Sequence, residues 1–89
     1  MDHEYYAEIF KAVGHPVRIK IVAGLMRNEK TGCNVNKMVE KLGLAQSTVS
    51  QHLGVLRRAG IIVPKKSGVE TCYKVVDPVV RKIIITIDK

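Results

Sequence analysis

The stretch Leu44–Gly60 constrains this chain more than any other. Val49, Leu53, Leu56 and Gly60 recur at helical spacing, so one stripe of a helix faces a core. The opposite stripe carries Gln46, Ser47, Ser50, Gln51, Gly54 and Arg57 or Arg58, and no acid stands between Gln46 and Arg58. An ordinary amphipathic surface helix usually exposes Glu and Lys. Short hydroxyl and amide side chains reach base edges and phosphates without blocking close approach. The pattern therefore predicts a recognition helix lying in the major groove of DNA.

The rest of the composition agrees with a polyanionic partner. The chain has 89 residues, with 15 basic against 8 acidic side chains and a formal net charge of +7, and small basic domains commonly meet nucleic acid. That length makes one domain, residues 1–89. A domain of this size buries roughly 60–65% of its unfolded surface, so association into a dimer is the expected further source of stability. Met1-Asp2-His3-Glu4 is polar and acidic, and no run of apolar residues is long enough to span a bilayer. Two cysteines, Cys33 and Cys72, are too few for a secreted disulfide framework. The expectation is a soluble cytoplasmic protein with no membrane partner.

Along the chain, Asp2 to Val13 reads as a helix with Tyr5, Ile9, Phe10 and Val13 on one face. Gly14-His15-Pro16 breaks it, and Pro16 suits the first turn of a second helix with Ile19, Val22, Leu25 and Met26 inward. Cys33-Asn34-Val35 reads as a very short strand. Asn36 then caps a third helix, Lys37 to Leu42, and a Gly43-Leu44 turn leads into the recognition helix. Residues 36–60 thus form a helix-turn-helix. Gly60 stops the helix and the period changes to two. Within 61–76, Ile61 to Lys66 and Val69 to Val76 read as two strands joined at Ser67-Gly68, with Pro64 weakening the first. Lys65, Lys66 and Lys74 lie near the tip of this wing, placed to straddle phosphates. Asp77-Pro78 caps a last segment that suits a helix with a wide apolar face. Its run Ile83-Ile84-Ile85-Thr86-Ile87 is β-branched throughout, so a strand stays open there.

Three stretches carry a family resemblance: Phe10 to Ile21, Leu42 to Ile62 including Leu44-Ala45-Gln46-Ser47-Thr48-Val49-Ser50-Gln51-His52-Leu53, and Tyr73-Lys74-Val75-Val76-Asp77-Pro78. The chain resembles the ArsR/SmtB family of dimeric winged-helix repressors. The resemblance implies an α+β, mostly helical winged helix-turn-helix in the order helix, helix, strand, helix, helix, strand, strand, helix, with a two-stranded wing. It implies a homodimer through the first and last helices. It also puts Gln46, Ser47, Ser50 and Gln51 in the groove, with Thr48 and His52 nearby, although His52 leans toward the buried stripe. Arg57, Arg58 and the wing lysines would anchor phosphates. Ala45 stands where relatives often place a capping Ser, and Gly54 where they often place Lys; a lost cap costs about 1 kcal/mol and a mid-helix Gly about 0.5–1 kcal/mol.

Many members of that family respond to metals. Aligned on Leu42, the Cys-x-Cys metal positions hold Asn34 and Asn36, poor ligands for soft ions. The segment Pro78 to Lys89 contains no His, and His3, His15 and His52 are scattered through different elements. No metal site and no cofactor are expected. A thiol-based switch through Cys33 and Cys72 is the remaining route to an inducer, beside a small molecule. Strand parity puts Cys33 inward as a small buried hydrophobe and Cys72 on the polar face of the wing with Lys74, where a thiol can react; the alternative is two structural cysteines, and opposite faces argue against an easy bridge. No catalytic constellation stands out, so an enzyme is not expected. The rival reading is a non-specific DNA-architectural protein, which would favour Lys and Arg over a Gln-Ser-Ser-Gln stripe.

Overall fold

A computed structural model describes residues 1–30, 35–67 and 70–88. In chain order they form α1 (His3–Val13), α2 (Pro16–Arg27), α3 (Val35–Leu42), α4 (Gln46–Arg58), β1 (Ile62–Ser67), β2 (Glu70–Val75) and α5 (Pro78–Ile87). Local chemistry sets most of the starts. Asp2 caps α1, its Oδ1 accepting the Tyr5 N–H at 3.0 Å. His15 caps α2 and Asp77 caps α5, each followed by a proline in the first helical position. Proline belongs there because the missing N–H would have had no partner within the helix.

The core is built around α2, which packs against α1, α3, α4, α5 and β2. Ile21, Val22, Ala23 and Leu25 are all buried, more of the helix than a single stripe, because neighbours surround it. Ile19, expected inward, is exposed. On α1, Ile9 and Ala12 turn inward while Tyr5 and Phe10 are exposed, so the apolar face read from spacing divides into a core edge and an outer edge. Val49, Leu53 and Leu56 of α4 close the core with Ile61, Ile62, Val75, Val80 and Ile84.

α3 begins at Val35, so Asn36 lies within its first turn and does not cap it. Of the short strand expected at Cys33-Asn34-Val35, Val35 is helical and the other two residues lie outside the described ones. The wing is an antiparallel pair from Ile62↔Val75 to Ser67↔Glu70. Ser67 is therefore paired, not part of the turn. Pairing also runs through Pro64, opposite Tyr73; a two-stranded ribbon lets its missing N–H face outward.

The last segment is a helix despite its β-branched run. Asp77 Oδ1 accepts the N–H groups of Val79 and Val80 at 3.0 Å each, and Val80 and Ile84 are buried one turn apart. Arg81 Nη1 and Nη2 pair with both oxygens of Glu29 at 2.9 Å, and Nη1 also donates to the Val75 carbonyl. That ties α5 to the residues after α2 and to the end of β2. The paired guanidinium holds the Glu29 carboxyl below its usual range. Tyr5 Oη donates to Asp77 Oδ2 at 3.1 Å, joining α1 to the start of α5, and the accepting carboxylate raises the phenol above its usual value. Packing and capping override an unfavourable intrinsic propensity here.

Candidate nucleic-acid interface

The face of α4 turned away from the core is open. Gln46, Ser47, Ser50 and Gln51 are exposed, Thr48 and Gly54 are half-buried at its margins, and Arg57 and Arg58 are exposed at its end. The helix is held from both ends. Gly43, with φ +66°, closes α3, and Leu44-Ala45 leads directly into α4. At the other end Gly60 has φ +78°, the Gly60 N–H donates to the Arg57 carbonyl and the Ile61 N–H to the Leu56 carbonyl, both at 3.0 Å. This is a Schellman stop, completed by the contact of buried Leu56 with buried Ile61, and a residue with a side chain would be strained at Gly60. The N-terminal end is weaker: Ala45 has capping backbone geometry but makes no side-chain bond.

Arg58 shares a groove with Asp2, Glu4, Glu8 and Lys11 of α1 and with Arg18 of α2. Its position is thus at the seam between the recognition face and α1, whereas the hydroxyl and amide groups lie clear of any acid on their own helix. On the wing, Lys65, Lys66 and Lys74 are all exposed, and Val63 stands opposite Lys74.

Cys72 departs from expectation. It is only 5% exposed and is bonded in a disulfide, so it is no free thiol on a polar face. Strand parity does not describe this position: β2 packs against both α2 and α3, and Cys72 is buried while Lys74, two residues along, is exposed. The chain's other cysteine, Cys33, lies outside the described residues.

The histidines hold a second departure. His15 and His52, far apart in sequence, meet with ring centroids 4.7 Å apart. His52 Nδ1 accepts from Arg18 Nε at 3.2 Å, and burial, then the charges of His15 and Arg18, lower its pKa. Arg18 was not singled out by sequence reading. The signal was present: it is a cation between Val17 and Ile19 in a largely apolar helix.

A recognition helix with an acid-free polar face, a preceding helix joined by a glycine turn and a basic two-stranded wing together define a winged helix-turn-helix DNA-binding module. A family model described as a helix-turn-helix domain matches residues 13–64. An uncharacterised HTH-type transcriptional regulator of Methanocaldococcus jannaschii is 40% identical over 87 residues, 98% of this chain and 96% of that protein. The transcriptional repressor PagR of Bacillus anthracis is 38% identical over 84 residues, 94% of this chain and 82% of that one. The crystal structure of PagR superimposes with a TM-score of 0.78 over 93% of this chain and 92% of its own. That of HlyU from Vibrio cholerae does so with 0.82 at 27% identity, over 97% and 92%. The chain belongs to the ArsR/SmtB family of winged-helix transcriptional regulators.

Proposed function

We propose that this DNA-binding regulator is a homodimeric repressor that reads a specific sequence, and that it is not an enzyme. The observation that carries the reading is the exposed Gln46, Ser47, Ser50, Gln51 face on a helix anchored by buried Val49, Leu53 and Leu56. Amides and hydroxyls pair with base edges, and a rigid helix holds them in register. Thr48 and His52 border that face, and Arg57, Arg58, Lys65, Lys66 and Lys74 contact phosphates, which orient the protein without encoding sequence. PagR carries the name repressor, which supports the same direction of control.

The dimer forms through α1 and α5. Phe10 is 51% exposed, and Ile83, Ile85 and Ile87 are also exposed, an apolar area that favours burial against a twin. Two recognition helices then enter successive major grooves, with half-sites roughly 10 bp apart. An inducer acts by changing their spacing. Oxidation and reduction at Cys72 are one such input, since its disulfide lies on a strand of the wing. Metal sensing is not part of the reading.

The test is selection from random duplexes at physiological salt, on oxidised and on reduced protein. Enrichment of an inverted repeat is the expected result, with a change in affinity between the two redox states. An inverted repeat bound equally in both states removes the redox input and leaves the repressor. No enrichment in either state overturns sequence-specific binding and favours a non-specific architectural role.

A further inference from the structure

We propose that Arg18 is a positioning residue for DNA reading: it clamps the recognition helix to α2 and to the last turn of α1, and the clamp closes only while His52 is neutral. The DNA part of this proposal rests on the reading above; the clamp itself does not.

Arg18 is half-buried and makes two bonds with one guanidinium. Nη1 donates to the Ala12 carbonyl at 3.0 Å, near the end of α1, and Nε donates to His52 Nδ1 at 3.2 Å, in the middle of α4. An arginine has no acceptor and does not lose its proton, so Nδ1 of His52 must carry a lone pair and its proton must sit on Nε2. His15 stands beside it with the same constraint, because its own Nδ1 accepts the Val17 N–H at 3.1 Å as the cap of α2. The two imidazoles thus lie close together, their planes tilted by 44°, with both Nδ1 atoms committed as acceptors. A proton added at His52 Nδ1 removes the acceptor and sets a cation against Arg18.

The surroundings make this more than a surface contact. The charged or titratable groups acting on His52 are His15, the cap of α2, and Arg18 within it. On the other side of Arg18, α1 presents Asp2, Glu4, Glu8 and Lys11 to a shared groove, and α4 adds Arg58. Among the described residues, no charge of α3 or β1 figures among the groups acting on His52. One guanidinium therefore links α1, which the proposed dimer uses, to the helix that meets DNA. A planar fork with three nitrogens spans two acceptors in fixed directions, which a lysine ammonium on a flexible stem does not reproduce.

The clamp makes an unusual sign prediction. An imidazolium that merely added one positive charge near DNA would tighten binding to every duplex on acidification. Opening the clamp instead lowers the ratio of affinities for a selected duplex over its scrambled version, because orientation of the helix carries the sequence information. The experiment has two arms. In the first, NMR follows the His52 imidazole nitrogens and the amide exchange of α4 in the wild type, Arg18→Gln and Arg18→Lys. The expected result is a fixed Nε2–H tautomer in the wild type, and in both variants a mixed tautomer with α4 amides exchanging roughly three- to tenfold faster, the scale of one net hydrogen bond. In the second, the selected-to-scrambled ratio is measured from pH 7.5 down to the pH at which NMR shows the His52 imidazole protonated. The wild-type ratio falls about three- to tenfold, R18Q starts low and stays flat, and His52→Gln is flat whatever its absolute affinity.

An unchanged His52 tautomer and unchanged α4 exchange in R18Q would overturn the clamp, as would a wild-type ratio that stays constant across that range. If R18Q fails to fold, the loss of pH dependence in H52Q decides the matter alone. If no duplex is enriched by selection, the first arm still tests the clamp, so its failure and that of the DNA reading are told apart.

Discussion

Two residues stand at odds with the stability of the recognition helix, Ala45 at its start and Gly54 within it. Ala45 holds capping geometry, φ −62° and ψ 144°, without a side chain able to cap. Ala45→Ser supplies that acceptor and should raise stability by about 1 kcal/mol, which a denaturant melt reads directly. Gly54 has no positive φ, and a Cβ there meets only Arg58 Nη1, at 3.1 Å, the far end of a flexible side chain. Gly54→Ala should therefore stabilise by about 0.5–1 kcal/mol, a few degrees in Tm, with Arg58 swinging aside. Both departures were read from the family resemblance, which supplies the Ser and Lys expected there, and their costs follow because capping and helix propensity are local. The Arg18–His52 bond was not, since its partners lie 34 residues apart and only packing of α2 on α4 brings them together. Cys72 was misread for a related reason: two-residue parity is local, whereas β2 packs against both α2 and α3, and Cys72 is buried although Lys74, two residues on, is exposed.

At the scale of elements, α4 was readable because a dense 3.6-residue pattern and a glycine stop agree with each other. α5 was ambiguous because its β-branched run contradicts the Asp77-Pro78 start, and the deciding contacts, Arg81 with Glu29 and Tyr5 with Asp77, come from elsewhere in the chain. The contact between α2 and α4 carries a pH dependence of its own. Burial, followed by His15 and Arg18, holds His52 below the usual imidazole value of 6.5. In the unfolded chain that group takes up its proton near pH 6.5, and in the folded chain only at lower pH. Stability from this site is thus complete above about pH 6.5 and is lost as pH falls through the window below it. Urea melts at pH 7.5 and 5.5 should show a decrease for the wild type and a smaller one for H52Q.

For the molecule as a whole, the winged helix-turn-helix followed from the order of motifs, and the dimer expected through the first and last helices is the proposal that the outer apolar surface supports. Phe10 and Ile83 are exposed on the two helices assigned to the dimer. Placing a charge there, Ile83→Glu, should shift sedimentation from dimer to monomer while leaving the helical circular dichroism signal in place, because Ile83 is not among the core side chains. A monomer that binds one half-site weakly is the expected product, since the two linked helices gain affinity from each other's position.

The proposed regulator reads sequence with the amide and hydroxyl face of α4. The most direct measurement is the affinity of wild type, Ser47→Ala and Gln51→Ala for a selected duplex and for its scrambled version, at fixed salt. Each variant should lose roughly five- to a hundredfold on the selected duplex, about 1–3 kcal/mol per base contact, and bind the scrambled one as before. Equal losses on both duplexes, or no loss on either, would contradict sequence reading by that face.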